Sequence, residues 1–186
     1  MKRISLSRYR NQAAILLKEI RQGHPAAHKR TRQLDSFSSV TPIELQDQAR
    51  LKHCLNVIAR EQGFDHWATL KSDYEASAMA ELASHYAKGY LNHWYATYAE
   101  ARHHLDTHRG YLLPYGKNLL SYAKKELQYY VCNSAYIETF GFDPEAREWT
   151  LIGYDMVQPA DPKARLILID AWMEQRPESQ IQGEQP

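Results

Sequence analysis

Three histidines close together in the sequence are the side chains best suited to chemistry. The chain has nine histidines in 186 residues, and His103, His104 and His108 fall within one short segment. On a helix, Glu100, His104 and His108 would be spaced at i, i+4 and i+8 and would share one side. Imidazole and carboxylate groups are zinc ligands in proteins, so this row is a candidate metal site. The alternative is that the histidines interact with the helix dipole at the end of a helix.

A second candidate for chemistry is the thiol of Cys132. It lies at the end of a predicted strand, directly before Asn133 and Ser134, either of which suits the start of a helix. A thiolate near helix N–H groups has a lowered pKa and is more reactive, which makes Cys132 a candidate nucleophile. The alternative is a small buried hydrophobic residue at a strand end.

Chemistry at these residues would make the protein a metal-dependent or thiol enzyme. The sequence has no HExxH zinc-protease motif, Walker loop, dinucleotide fingerprint, kinase signature or serine-hydrolase elbow. A non-catalytic role is therefore the stronger expectation, and apart from zinc no cofactor is indicated.

The charges are distributed unevenly along the chain. Residues 1–32 contain nine Lys and Arg residues against the single acid Glu19, whereas the whole chain has a net charge of +1. A basic end on an acidic body is typical of proteins that contact nucleic acid or an acidic protein. The alternative is a solvated helix face that aids solubility. Besides Lys2, the candidate binding residues are Arg3, Arg8, Arg10, Lys18, Arg21, Lys29, Arg30 and Arg32.

The elements that carry these cations are predicted to be helices. Ser7 is the expected N-cap of a helix over residues 8–22, whose apolar residues recur at helical spacing. A short basic helix then begins at Pro25. The segment 41–44 has the spacing of a capping box, which predicts the start of a further helix.

A long central helix is predicted next. The helical pattern runs from His66 to about His108, and a break within it is expected. Gly89 is the weakest point, and residues 74–78 are the alternative place for the break. Four aromatic residues spaced by four would lie on one face of this helix and form a core stripe or the interface of a homo-oligomer. These residues are Tyr86, Tyr90, Trp94 and Tyr98.

The remainder of the chain has a mixed pattern. Residues 111–115 and 126–132 are expected to form a small antiparallel pair of strands, and Pro114 restricts the first to a sheet edge or an irregular strand. Pro162 opens a last helix, and residues 149–160 fit either a helix or a strand.

One segment resembles a known family. Residues 57–71 read VIAREQGFDHWATLK, with Asp47-Gln48-Ala49 upstream. This pattern resembles a helical segment found near the N-terminus of many bacterial proteins, often ahead of ankyrin repeats or glyoxalase-like domains, with His66 where serine is usual. The resemblance implies a packed helical segment without catalytic residues. The same residues also resemble a helix-turn-helix, although Trp67 falls where a polar base-contacting residue is expected.

Composition limits the protein class. Hydrophobic residues make up 44% of the chain and charged residues 24%, which is ordinary globular usage. No apolar run is long enough to cross a bilayer. Two cysteines are too few for a disulfide framework, so a reducing cytoplasm is expected.

The sequence thus predicts a mainly α fold with a small antiparallel strand pair. The expected organisation is a basic helical module (1–76), an aromatic-rich helix with a mixed segment (77–176) and a disordered tail (177–186). The predicted function is a non-catalytic bacterial binding protein that uses its basic N-terminal helices. The alternatives are the enzyme and the homo-oligomeric structural module described above.

Overall fold

The computed structural model describes residues 4–85, 87–116 and 127–175. The chain divides into two compact units, Met1–Tyr74 (unit 1) and Glu75–Pro186 (unit 2). As predicted, the described residues are mainly α-helical and include a small antiparallel sheet. None of the helices in these ranges combines the length and apolar character that a membrane span requires.

Unit 1 is a group of helices packed around the first one. Its elements are α1 (Leu6–Arg21), α2 (Pro25–Thr31), a 3₁₀ turn (Asp35–Phe37), α3 (Pro42–Gln48), α4 (Leu51–Glu61) and the first part of α5 (Trp67–Ser84). Helix α1 packs against α2, α3 and α4. Its buried residues recur every three or four positions, as expected for an amphipathic helix.

Helix α1 begins earlier than the sequence pattern predicts. Its N-cap is Ser5 and not Ser7, and the Ser5 hydroxyl accepts a hydrogen bond from the backbone N–H of Arg8 at 3.4 Å. The reason is that Leu6 is fully buried and opens the apolar stripe of the helix. The capping residue must therefore precede Leu6.

Side-chain caps fix two other helix starts in unit 1. The capping box before α3 is confirmed, because the Thr41 hydroxyl accepts from the Glu44 N–H (3.3 Å) while the Glu44 carboxylate accepts from the Thr41 N–H (2.8 Å). Between α4 and α5 the chain turns at Gly63, whose φ is +85°. The first N–H of α5, that of Trp67, donates to the side chain of Asn56 on α4 at 2.9 Å. The start of α5 thus depends on a contact between helices.

Unit 2 combines helices with the sheet. Its elements after α5 are β1 (His93–Tyr95), α6 (Tyr98–His108), β2 (Tyr111–Tyr115), β3 (Gln128–Cys132), α7 (Ser134–Thr139), α8 (Arg147–Leu151) and α9 (Pro162–Gln175). The strand order is β1-β3-β2 with both pairs antiparallel. Helix α6 packs on the sheet, where Ala101 and Leu105 meet Leu112 and Val131 in a buried cluster.

The outer edge of β2 is covered along its length. The Leu112 N–H donates to the carbonyl of Tyr154 (2.9 Å), and the Gly116 N–H just after the strand donates to the carbonyl of Ala83 (3.0 Å). Between them lies Pro114, which has no N–H. The predicted placement of this proline on an edge strand is confirmed.

The helical pattern predicted over residues 66–108 is broken, and the break includes its expected weak point, Gly89. The helical pattern breaks after α5, turns at Gly89 with φ of +91°, and resumes only at α6. Strand β1, which the sequence did not predict, lies in the gap. Trp94 belongs to this strand and Tyr98 begins α6, whereas Tyr86 lies outside the described residues.

The predicted aromatic stripe therefore does not lie along one helix, and its proposed use as an oligomer interface loses its geometric basis. The described aromatic residues of the set pack within unit 2. A spacing of four residues also keeps side chains on one face of an extended strand, so the spacing alone could not identify a helix. The ring contacts, by centroid separation, are Tyr90–Tyr136 (5.2 Å), Trp94–Tyr130 (4.9 Å) and Tyr98–Tyr129 (5.9 Å).

Other predictions for the second half are confirmed. The two predicted strands pair as β2 and β3, although residue 126 lies outside the described range. Asn133 is the N-cap of α7, and its side chain accepts from the Tyr136 N–H at 3.0 Å.

The segment 149–160, for which the sequence fits either a helix or a strand, contains the end of α8 and a turn that leads to α9. The expected tail, 177–186, lies outside the described residues.

Candidate functional site

Unit 2 contains an open cleft of about 920 Å³. It lies among the second half of α6, the loop that joins α6 to β2, the end of β3 and the start of α7. This volume is in the range of small-molecule sites. Its lining includes three residues that the sequence singles out, namely His104, His108 and Cys132.

The histidines of the cleft form a stack of imidazole rings. His104 lies between His93 of β1 and His108 of α6, with centroid separations of 4.4 Å and 4.5 Å. The His104 and His108 rings are nearly parallel, with an interplanar angle of 16°. The helical spacing of His104 and His108 was readable from the sequence. The contribution of His93 could not be read from the sequence, because His93 reaches α6 only when β1 pairs with β3 in the sheet on which α6 packs.

The environment of His104 lowers its pKa below the usual 6.5. Burial is the main cause, followed by the neighbouring imidazoles of His93, His108 and His103. Burial and nearby positive charge both disfavour the imidazolium form. The neutral ring is therefore the form that the folded protein favours, which makes the stack sensitive to acid.

We expect the folded protein to lose stability in acid partly through His104. Its pKa is lower in the folded than in the unfolded state, so its contribution is present above pH 6.5 and is lost as the pH falls towards the folded pKa. The melting temperature of a His104→Gln variant should fall less than that of the wild type between about pH 7.5 and pH 5. An NMR titration in which the His104 imidazole protonates at or above pH 6.5 would contradict this expectation.

The predicted metal row is not assembled as a three-ligand cluster. The Glu100 carboxylate is engaged in the capping box of α6, where it accepts from the Thr97 hydroxyl at 2.8 Å and the Thr97 N–H at 3.2 Å. The rings of His104 and His108 are stacked, whereas two imidazoles that share a metal ion direct in-plane nitrogen lone pairs at one point. Across the described ranges, no group of three or more His, Cys, Asp or Glu side chains is arranged to hold a metal ion.

The structure gives Cys132 the opposite character from the one expected. The thiol is buried and donates to the carbonyl of Tyr111 at 3.4 Å. Burial raises the pKa of Cys132 well above that of a free thiol, whereas the sequence predicts a lowered pKa. A protonated, buried thiol is a poor nucleophile, so the environment corresponds to the structural alternative for this residue.

A buried carboxylate beside the cleft connects α6 to the loop before α9. Asp155 is fully buried and accepts from the Tyr98 hydroxyl at 2.6 Å and from the Arg102 guanidinium at 3.4 Å. Its other oxygen accepts from the N–H groups of Val157 and Gln158, both at 2.9 Å. Sequence reasoning missed this residue, since nothing in the local pattern distinguishes it from a surface aspartate.

The Asp155 network also determines the state of Tyr98 and of Arg102. Burial, together with the hydrogen bond to Asp155, raises the pKa of Tyr98 to about 12. Arg102, which lines the cleft, donates to Asp106 at 2.6 Å as well as to Asp155. The charge of Arg102 is thus balanced by the protein's own carboxylates.

Two residues of the cleft have unusual backbone conformations. Arg109 and Tyr154 are the non-glycine residues with positive φ among the described ones, at +60° and +57°, and both line the cleft. The ψ of Arg109 is 170°, in a region that is used almost exclusively by glycine. Next to it, Gly110 has φ of +134°, and a Cβ there would lie 2.8 Å from the carbonyl oxygen of Cys132.

The described members of the predicted basic set lie on α1, on α2 and, for Arg32, at the C-cap of α2. Arg30 makes a two-point ion pair with Glu61, at 2.8 Å and 2.9 Å. Arg3 lies outside the described residues. The other six are exposed and form no ion pair with any described residue. These six are Arg8, Arg10, Lys18, Arg21, Lys29 and Arg32.

Similarity to known proteins does not assign a function to this chain. No protein-family model matches it, and neither a curated protein nor a solved structure shows significant similarity to it. The resemblance of residues 57–71 to a bacterial helical segment stays a prediction from the residue pattern. Function must therefore be inferred from the charge and geometry of the two units.

Proposed function

We propose that the protein is a non-catalytic binding protein that contacts a polyanion through α1 and α2. The observation that carries this proposal is the set of six exposed cations on these helices that no described carboxylate pairs with. Residues 1–74 contain thirteen Lys and Arg residues against seven Asp and Glu residues. Cations that are left unpaired by the protein itself are available to a ligand.

Three of the cations fall on one side of α1. At 100° per residue, Arg10, Lys18 and Arg21 lie within about 80° of one another, on one flank of the exposed face. Arg8 lies on the far flank of the same exposed face. A row of cations along a helix matches the regular charge spacing of a nucleic-acid backbone better than an isolated charge does.

We favour nucleic acid over an acidic protein as the ligand. Six of the eight predicted binding residues are arginine. The planar guanidinium group binds phosphate in a two-point geometry, which the lysine ammonium cannot do. Phosphate contacts of this kind are independent of base sequence, so we expect binding with little sequence preference.

The alternative that the protein is a metal-dependent or thiol enzyme has less support than the binding function. The raised pKa of Cys132 and the engagement of Glu100 in a helix cap remove the two properties that this hypothesis needs. A nucleophile must be present as thiolate, and a zinc ligand must direct its oxygen to the metal. No separate observation favours catalysis.

Substituting Arg10, Lys18 and Arg21 by glutamine should weaken nucleic-acid binding strongly. Each phosphate contact contributes about 0.9 to the slope of log K against log salt concentration for duplex DNA. The triple variant should therefore lose up to about 2.7 of this slope together with most of its affinity. Fluorescence anisotropy with labelled duplex DNA, between about 50 mM and 200 mM salt, measures both quantities.

A matched control removes three exposed lysines elsewhere, with the substitutions Lys52→Gln, Lys88→Gln and Lys163→Gln. It changes the net charge equally and should retain most of the affinity and slope. Equal losses in the two variants would refute a specific role for α1. Binding of poly-glutamate but not of DNA or RNA would identify an acidic protein as the ligand class and overturn the preference for nucleic acid.

A further inference from the structure

We propose that the cleft of unit 2 is a second binding site, which takes a small organic anion whose carboxylate or phosphate group is bound by Arg109. This site is separate from the polyanion surface of α1 and α2 and does not depend on it. Its ligand would carry the anionic group on an apolar body. The charge balance, the backbone and the surface of the cleft support this assignment.

The charges that line the cleft leave one guanidinium unpaired. Arg102 and Asp106 neutralise each other in an ion pair of 2.6 Å. Arg109 is exposed and forms no ion pair with a described residue, although Glu145 also belongs to the lining. An unpaired guanidinium in a cleft is suited to two-point binding of a carboxylate or phosphate.

The backbone of Arg109 supports a role for its side chain. Its φ of +60° and ψ of 170° cost free energy for any residue with a Cβ, and glycine would adopt them without strain. The chain nevertheless has arginine at this position and glycine at the next, Gly110. A strained conformation at a cleft is a recognised sign of a functional residue, and here the function that arginine adds over glycine is its charge.

Apolar and hydrogen-bonding groups line the cleft together with this cation. Leu91 is fully exposed and Tyr154 is 38% exposed, and both line the cleft. The Tyr154 ring is positioned by an edge-to-face contact with Tyr111, at 5.4 Å between centroids. The imidazole of His108 also lines the cleft, next to Arg109 in sequence. The cleft thus offers apolar surface for an organic body and polar groups that can fix its orientation, which is a combination found in sites for small organic ligands.

Calorimetric titration of the full chain with phenyl phosphate and benzoate tests this proposal. We expect binding of at least one of them, and weaker or no binding of the neutral analogue benzyl alcohol. The Arg109→Gly variant should bind about 10- to 100-fold more weakly. Because glycine relieves the backbone strain, its melting temperature should equal or exceed that of the wild type, which separates loss of the ligand contact from loss of the fold.

The matched control is Arg147→Gln, which removes an exposed arginine that does not line the cleft and should leave the affinity unchanged. Inorganic phosphate tests whether the apolar body contributes, and we expect it to bind more weakly than phenyl phosphate. Equal affinity of the wild type and Arg109→Gly for the aromatic anions would overturn the proposal. So would equal binding of benzyl alcohol and benzoate, or no binding of either anion.

Discussion

Replacing Trp149 with alanine should lower the free energy of unfolding by about 3–5 kcal/mol. The side chain is fully buried, and its ring makes edge contacts with Tyr111 at 4.9 Å and Phe142 at 5.5 Å. Its indole N–H donates to the carbonyl of Asp143 at 2.9 Å. Alanine would leave a large cavity behind Tyr111 and remove one of the two hydrogen bonds that the Asp143 carbonyl accepts.

Urea unfolding followed by far-UV circular dichroism measures this loss. Trp149→Phe retains most of the apolar volume but not the hydrogen bond, so we expect a smaller loss of about 1–2 kcal/mol. Leu151→Ala on the same helix is the matched surface control, since Leu151 is 40% exposed, and should change the free energy by no more than about 0.5 kcal/mol. If Trp149→Ala and Leu151→Ala had the same free energy of unfolding, the packing around α8 would not be as described.

Asp155→Ala should destabilise the protein by about 3 kcal/mol. The substitution removes the acceptor for the Tyr98 hydroxyl, for Arg102 and for two backbone N–H groups. Breaking a buried ion pair is costly because the remaining groups stay desolvated without partners. We place the value at the lower end of the usual range because the Arg102 side chain is 36% exposed.

Two further variants separate the contributions at Asp155. Asp155→Asn keeps one carbonyl oxygen for the backbone N–H groups and should lose less stability than alanine. Combining Tyr98→Phe with Asp155→Ala should give a coupling free energy of about 0.5–3 kcal/mol, because the two side chains share a hydrogen bond. Additive losses would show that the 2.6 Å contact does not contribute to stability.

Local patterns predicted several elements correctly because their determinants lie within a few residues. The Thr41–Glu44 capping box, the Asn133 cap and the proline of β2 depend on short-range chemistry. Such signals depend on hydrogen bonds that adjacent residues can form by themselves. The start of α5 could not be predicted in this way, because its capping side chain is Asn56, eleven residues before Trp67.

The aromatic segment was mispredicted because the chain leaves the helix between α5 and α6, where β1 takes up only Trp94 of the set. Residues four apart share a face in a helix and also in a strand. What decides between the two here is pairing with β3, which brings Trp94 opposite Tyr130. That partner lies 36 positions later in the sequence, beyond the range of any local pattern.

The candidate site was predicted in part. The proximity of His104 and His108 follows from helical spacing. Their location in a cleft could not be predicted from that spacing. The addition of His93, the burial of Asp155 and the strained backbone of Arg109 all arise when β1, β2 and the loop before α9 come together around α6. Each of these features depends on contacts between segments distant in sequence.

The covered edge of β2 limits how the protein can associate with copies of itself. A strand added from another molecule needs free N–H groups along a sheet edge. On this side the Leu112 and Gly116 amides already have acceptors, and Pro114 has no amide to offer. Strand exchange and fibre-like aggregation therefore cannot start at this edge unless the segment around Tyr154 first detaches.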